Sequence, residues 1–192
     1  MQKTCASVPR IETEDDAALL ARIKNREQLA FELLLRRHVT RFYRVAYRFV
    51  GQRVLAEDIV QDAFLKLWER PGNWQEGFGT QFTVWFYRVV VNLCLDLQKK
   101  TSAETWPDFD VFVDDSATQE EAMLQREQEK NLEQHIRNLP LRQQTALNLC
   151  FYEGLSNKEA ADIMGLRVKA LQSLLMRAKA TLKQKLLKDY FD

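Results

Sequence analysis

The chain has 192 residues, is 46% hydrophobic and carries 28 lysines and arginines against 27 acidic residues, so its formal net charge is only +1. That length and apolar content allow one packed core or two small ones, and with only six glycines and four prolines long helices are expected. No run of eighteen apolar residues and no charged-then-apolar N-terminal stretch occurs, and the three cysteines lack metal-ligand spacing, which argues against export, membrane insertion and a disulfide scaffold and for reduced thiols in the cytoplasm.

Residues 1–13 show no periodicity and read as a loose tail. Thr13-Glu14-Asp15-Asp16 offers a helix start ahead of Leu19, Leu20 and Ile23. From about Glu27, Phe31, Leu34, Leu35, His38, Phe42, Val45, Ala46 and Phe49 form one apolar stripe that stops at Gly51. Arg36, Arg37, Arg41, Arg44 and Arg48 lie mostly off it, where a solvated face and a nucleic-acid contact are both open. A third helix, about Val54 to Glu69, buries Ile59, Val60, Ala63, Phe64, Leu67 and Trp68 and turns outward an acidic face, Glu57, Asp58, Gln61, Asp62 and Glu69, with Leu65 and Lys66 among them.

Arg70 to Thr80 has the glycine and proline content of a loop, yet it holds Trp74 and Phe78. A helix resumes at Phe82 and continues to about Lys100, its stripe read as Phe82, Trp85, Phe86, Val89 and Leu93, with Arg88, Asn92 and Lys99 away from it. Residues 101–127 form an acidic linker: Glu104, Asp108, Asp110, Asp114, Asp115, Glu120 and Glu121 precede the first basic residue, and the segment turns helical near Thr118. The second domain, 128–192, opens with a helix through Leu132, Ile136 and Leu139; after Pro140 another carries Ala146, Leu149 and Cys150. Cys94 and Cys150, in apolar helical surroundings, are expected to fill cores.

Ser156-Asn157-Lys158-Glu159 has the form of a capping box, in which serine hydroxyl and glutamate carboxylate each satisfy an orphan backbone N–H, so a helix begins at Asn157. It buries Ala160, Ala161, Ile163 and Met164 and ends at Gly165, a residue able to take the left-handed turn. A longer amphipathic helix follows, with Val168, Leu171, Leu175, Ala178, Leu182 and Leu186 inward. Helix, glycine turn and longer helix read as helix-turn-helix. The opposite side presents Lys169, Ser173, Met176, Arg177 and Gln184, flanked by Gln172, Lys179 and Lys183. Between Gly154 and Lys188 eight basic residues face two acidic ones, a concentration of positive charge suited to DNA in an otherwise nearly neutral chain. The fold class expected is all-α: a helical domain at 14–100, the acidic linker, and a C-terminal helix-turn-helix domain.

Gly154-Leu155-Ser156, Glu159-Ala160-Ala161, Met164-Gly165-Leu166 and Ser173 through Lys179 together resemble the last region of the sigma-70 family, in its extracytoplasmic-function (ECF) branch. The resemblance runs in the right order from about Asp15 to Lys188. It implies a transcription initiation factor that binds core RNA polymerase and directs it to promoters, with no catalysis, cofactor or metal of its own. Ala56 through Phe64 is similar to the segment that docks on the β′ clamp helices, which implies an interface centred on Asp58, Gln61, Asp62 and Leu65; the β flap is implied as a second contact. The loop and helix from Trp74 are similar to the minus-ten element reader, where a flipped base is held, and imply roles for Trp74, Phe78, Arg88 and Asn92. For the minus-thirty-five element the implied readers are Gln172, Ser173, Met176 and Arg177, and the implied phosphate clamps Lys158, Lys169, Lys179 and Lys183. The linker is implied to thread the polymerase channel later used by RNA. Family members are usually restrained by a membrane-anchored anti-sigma protein, which implies such a partner here.

The start of the recognition helix departs from the family pattern. Many members have Pro-Val-Gly-Thr-Val-Lys-Ser-Arg where this chain has Arg167-Val168-Lys169-Ala170-Leu171-Gln172-Ser173-Leu174, so the promoter sequence does not transfer. The variant resembles ECF members linked to heavy-metal resistance. A stand-alone helix-turn-helix regulator is the alternative, although it leaves the acidic helix and aromatic loop without a use. No Gly-rich phosphate loop, nucleophile-base set or metal cluster argues for an enzyme, and His38 and His135 stand apart from ligand-like neighbours in sequence.

Overall fold

A computed structural model describes residues 14–74, 81–101 and 132–191, with the side chains of 101, 190 and 191 excepted. The N-terminal tail, Cys5, Phe78 and the acidic stretch therefore lie outside the described residues, as do the glycines of the aromatic loop other than Gly72. Contacts divide the chain into two compact units, Met1–Ala103 and Glu104–Asp192. Among the described residues there is no strand.

In the first unit α1 (Asp16–Lys24) begins where the Asp15 carboxylate accepts from Ala18 N–H at 2.8 Å, one of the orphan donors of the first turn. Its end is unusual, because Arg26 takes φ 64° where glycine is the usual occupant. The N–H groups of Arg26 and Glu27 donate back to Ile23 and Arg22 at 2.9 and 3.2 Å, closing the helix. The Arg26 guanidinium then reaches the carbonyls of Trp68 and Glu69 and lies 5.7 Å from the Trp68 ring centroid. These are the last carbonyls of α3 (Arg53–Glu69), which lack partners inside the helix. Between the two runs α2 (Gln28–Val50), which ends on Gly51 at φ 69°.

The fourth helix, α4 (Phe82–Thr101), closes the unit against α2 and α3. Phe86, fully buried, lies 4.6 Å from Phe42 and 4.7 Å from Phe64, centroid to centroid, so one ring joins three helices. Each such aromatic pair adds about 0.5–1.5 kcal/mol beyond its buried area. The buried face of α4 differs from the stripe expected: it is Phe82, Val84, Phe86, Tyr87, Val90, Val91 and Cys94, while Trp85, Val89 and Leu93 are half-buried at its border. Tyr87 can be fully buried because Arg41 Nε donates to its hydroxyl at 2.7 Å. Burial at Cys94 pushes its thiol up to about 12, leaving it an inert core group.

Three further expectations change. Trp68 is half-buried, capped by Phe31 at 5.1 Å and by Arg26. His38, buried as its place on the α2 stripe implied, does have a partner, with Nε2 2.8 Å from an Asp16 oxygen whose mate accepts from Arg37 at 2.6 Å. Burial holds the His38 pKa below the ordinary value despite that carboxylate. Cys150 is half-buried, its thiol directed at Asn157 Oδ1 3.7 Å away, and so is no core filler.

In the second unit a helix at residues 132–137 (α5) leads through Pro140 into α6 (Leu141–Leu147), which closes in a π turn at Asn148–Tyr152. Then come α7 (Asn157–Ile163) and α8 (Val168–Phe191), with α6 and α7 both packed on α8. Ala160, Ala161 and Ile163 of α7 and Leu171, Leu175, Ala178 and Leu182 of α8 are buried. Val168 and Leu186, at the ends of that stripe, are 39% and 38% exposed.

Candidate nucleic-acid interface and docking faces

The helix-turn-helix is fixed by two local devices. At its start Ser156 Oγ accepts from Glu159 N–H at 3.2 Å while the Glu159 carboxylate accepts from Ser156 N–H at 2.8 Å and from its hydroxyl at 2.6 Å. Those hydrogen bonds hold the Glu159 carboxyl below its ordinary pKa. At its end Gly165 takes φ 63°, with Leu166 N–H donating to Ala161 at 2.8 Å and Gly165 N–H to Asp162 at 3.1 Å. This two-bond closure sets the direction in which α8 leaves.

All eight residues named for the minus-thirty-five element are exposed: Lys158 on α7, and Lys169, Gln172, Ser173, Met176, Arg177, Lys179 and Lys183 on α8. Met176 is 67% exposed, an apolar side chain at the middle of an otherwise polar face. The remainder separate into groups. Ser173 donates its hydroxyl hydrogen to the Lys169 carbonyl at 3.0 Å. Ser173 and Arg177 border a hollow of about 330 Å³ between α6 and α8, together with Arg142, Leu166, Ala170 and Leu174. Lys179 and Lys183 lie further round, on a hollow of about 490 Å³ with Leu132, Leu182, Leu186 and Leu187, and Lys179 Nζ sits 4.6 Å from the centroid of the exposed Phe151 ring.

Arg142 and Phe151 were not singled out in the sequence. Both precede the helix-turn-helix and meet α8 only in the folded unit, so no spacing within α8 could reveal them. Arg142 does carry one signal, its place two residues after a helix-starting proline.

In the first unit Asp58, Gln61, Asp62 and Leu65 are all exposed on α3, Leu65 by 52%. Gln61 also borders a hollow of about 340 Å³ between α2 and α3, with Val39, Thr40, Tyr43, Glu57 and Val60. Of the four residues named for the minus-ten element, Asn92 is exposed, Arg88 is half-buried, and Phe78 lies outside the described residues. Trp74 is not a free loop aromatic: it is only 6% exposed, edge-on to Phe82 at 6.5 Å, with Lys24 Nζ 5.6 Å from its ring. Its indole N–H has no acceptor among the described residues. Among the described residues no group of three or more His, Cys, Asp or Glu could hold a metal ion.

Comparison with known proteins places both units. The family model described as Sigma-70 region 2 matches residues 34–104, and that described as Sigma-70, region 4 matches residues 129–182. The RNA polymerase sigma-H factor of Pseudomonas aeruginosa is 30% identical over 178 residues, which cover 86% of this chain and 91% of that one. The ECF RNA polymerase sigma-E factor of Haemophilus influenzae is 29% identical over 182 residues, 89% and 95% of the two chains. Among solved structures, CnrH in complex with the cytosolic domain of CnrY is similar at TM-score 0.67 and 25% identity, over 91% of this chain and 98% of that one. The sigma factor RpoE of Bartonella quintana, in complex with the anti-sigma factor NepR, shares the fold at TM-score 0.65 and 20% identity, over 82% and 96%.

Proposed function

This chain belongs to the extracytoplasmic-function branch of the sigma-70 family, and from that premise we propose how its two helical units share the work of starting transcription. The protein is a sigma factor that directs RNA polymerase to promoters, and its family consists of initiation factors. In our reading the first unit docks on the β′ clamp helices through Asp58, Gln61, Asp62 and Leu65, whose joint exposure on one helix supports the assignment. The same unit opens and holds the minus-ten element with Trp74, Phe78, Arg88 and Asn92. The second unit contacts the β flap and lays α8 in the major groove at the minus-thirty-five element. There Gln172, Ser173, Met176 and Arg177 read bases, and Lys158, Lys169, Lys179 and Lys183 hold phosphates.

The observation that carries this reading is the exposure of all eight minus-thirty-five residues on a glycine-turned helix pair, in a chain whose other half matches Sigma-70 region 2. Catalysis, cofactor and metal have no part in it. The factor works in the cytoplasm, and a partner protein that covers its binding surfaces holds it inactive, tethered to the inner membrane through that partner's own anchor. The complexes of CnrH with a cytosolic domain and of RpoE with an anti-sigma factor support such a partner. Among the described residues no helix is long and apolar enough to cross a membrane.

Mixing the full chain with core polymerase and a genomic promoter library should yield run-off transcripts that neither component gives alone. Binding to duplex DNA without any core-dependent transcript would overturn the reading in favour of a stand-alone regulator.

A further inference from the structure

The hollow between α6 and α8 lies at the edge of the face that α8 presents to DNA. Its floor is apolar, formed by Leu166, Ala170 and Leu174, and its rim carries Arg142, Ser173 and Arg177. Ser173 has committed its only hydroxyl hydrogen to the Lys169 carbonyl, so no neutral donor points into the space. Arg142 and Arg177 are exposed and form no ion pair among the described residues. Ala170 keeps the floor open, since a longer side chain at that exposed position would occupy it.

An apolar floor under a cationic rim suits a ligand with a small apolar projection next to negative charge. On duplex DNA that combination is thymine, whose C5-methyl is the apolar projection that distinguishes it in the major groove and which stands beside its own strand's phosphate. We propose that the hollow is a thymine subsite of the minus-thirty-five reader, with the methyl group seated on Ala170 and Leu174 and Arg142 on the flanking phosphate. The inference rests on the reading of α8 as the major-groove helix. It adds Arg142, from outside the helix-turn-helix, to the residues that hold DNA, and gives Ala170 and Leu174 a part in choosing sequence.

The test begins with holoenzyme, full chain plus core polymerase, selecting from duplexes randomised across the minus-thirty-five region. Each thymine of the selected sequence is then replaced by deoxyuridine, which removes the methyl and nothing else. One position should lose about fourfold in affinity, the factor that goes with burying a methyl-sized group. Ala170→Val holoenzyme should bind the thymine and deoxyuridine duplexes equally. Arg142→Ala should weaken binding to all sequences alike and lower the salt slope by about one. A selected element without thymine, or one in which every deoxyuridine replacement is silent, overturns the subsite and leaves the α8 reading standing. An unchanged salt slope for Arg142→Ala overturns its phosphate contact. Failure to select any sequence would overturn the subsite and the α8 reading together.

Discussion

Replacing Gly165 by alanine isolates the contribution of one backbone angle to the DNA-binding unit. A Cβ built there meets nothing within 4 Å, so the substitution adds no clash, yet the residue sits at φ 63°. An L-residue held in that region costs about 1–2 kcal/mol. If the chain escapes to a negative φ instead, it gives up the bonds from Leu166 to Ala161 and from Gly165 to Asp162, each worth about 0.5–1.5 kcal/mol net, so the loss is similar by either route. Gly72 supplies the control: a Cβ there also meets open space, and its φ lies outside the left-handed region. Alanine at Gly72 should be neutral or should stabilise by up to about 1 kcal/mol through the unfolded chain. Thermal unfolding of the two variants, followed by circular dichroism, should therefore separate them, Gly165→Ala melting lower by several degrees, at about 4–8 °C per kcal/mol for a domain of this size. Equal melting of both variants would refute the argument, because the turn would then tolerate a side chain that its geometry should reject.

Asp58→Lys with Asp62→Lys should leave helical content unchanged and weaken core-polymerase binding, measured by competition with another sigma factor at physiological salt; undiminished competition would remove α3 from the clamp interface. Arg177→Ala should cost roughly 1–3 kcal/mol at the matched minus-thirty-five site and relax preference at one base pair, whereas Lys183→Ala should weaken all sequences alike and lower the salt slope by about one. Titration of several duplexes at several salt concentrations separates the two signatures. Because Trp74 is buried against Phe82, Trp74→Ala should destabilise the first unit by about 3–5 kcal/mol, so its effect on strand opening must be read beside a melting curve. His38 holds fewer protons folded than unfolded, its pKa being lowered by burial, so stability is full above the ordinary histidine value and falls as the pH drops through about 6.5. His38→Gln should flatten that part of the profile, although Arg37 and Arg41, which also disfavour the charged imidazole, remain in place.

The devices legible in the sequence are those complete within a few residues. The capping box at Ser156, the turns at Gly51 and Gly165, and the inner face of α3 from Ile59 to Leu67 need no distant partner to be recognised. The face of α4 was illegible for a physical reason: in its first three turns only Thr83, Arg88 and Asn92 are polar, so the apolar arc is too wide for periodicity to say which part is buried, and the choice falls to Phe42 and Phe64 on other helices. Tyr87 hid its burial behind a hydroxyl that Arg41, 46 positions away, satisfies. Trp74 was placed in a loop by its neighbours' composition and in the core by Phe82. The same holds for the candidate site, where the exposed face of α8 could be read from spacing but Arg142 could not, since tertiary packing alone brings it beside Arg177.

The left-handed turn at Arg26 bears on attempts to make the protein more robust. Guided by the backbone alone, an engineer would install glycine there, as the chain itself does at Gly51 and Gly165. That exchange would relax one residue and cut the tie between the first interhelical corner and the last carbonyls of α3. Those carbonyls end the helix whose outer face carries Asp58, Asp62 and Leu65, so local ease would come at the expense of that helix's C-terminal end. A side chain that strains its own backbone to brace another segment marks a position where statistical preference misleads, and where a screen for stabilised variants should retain arginine.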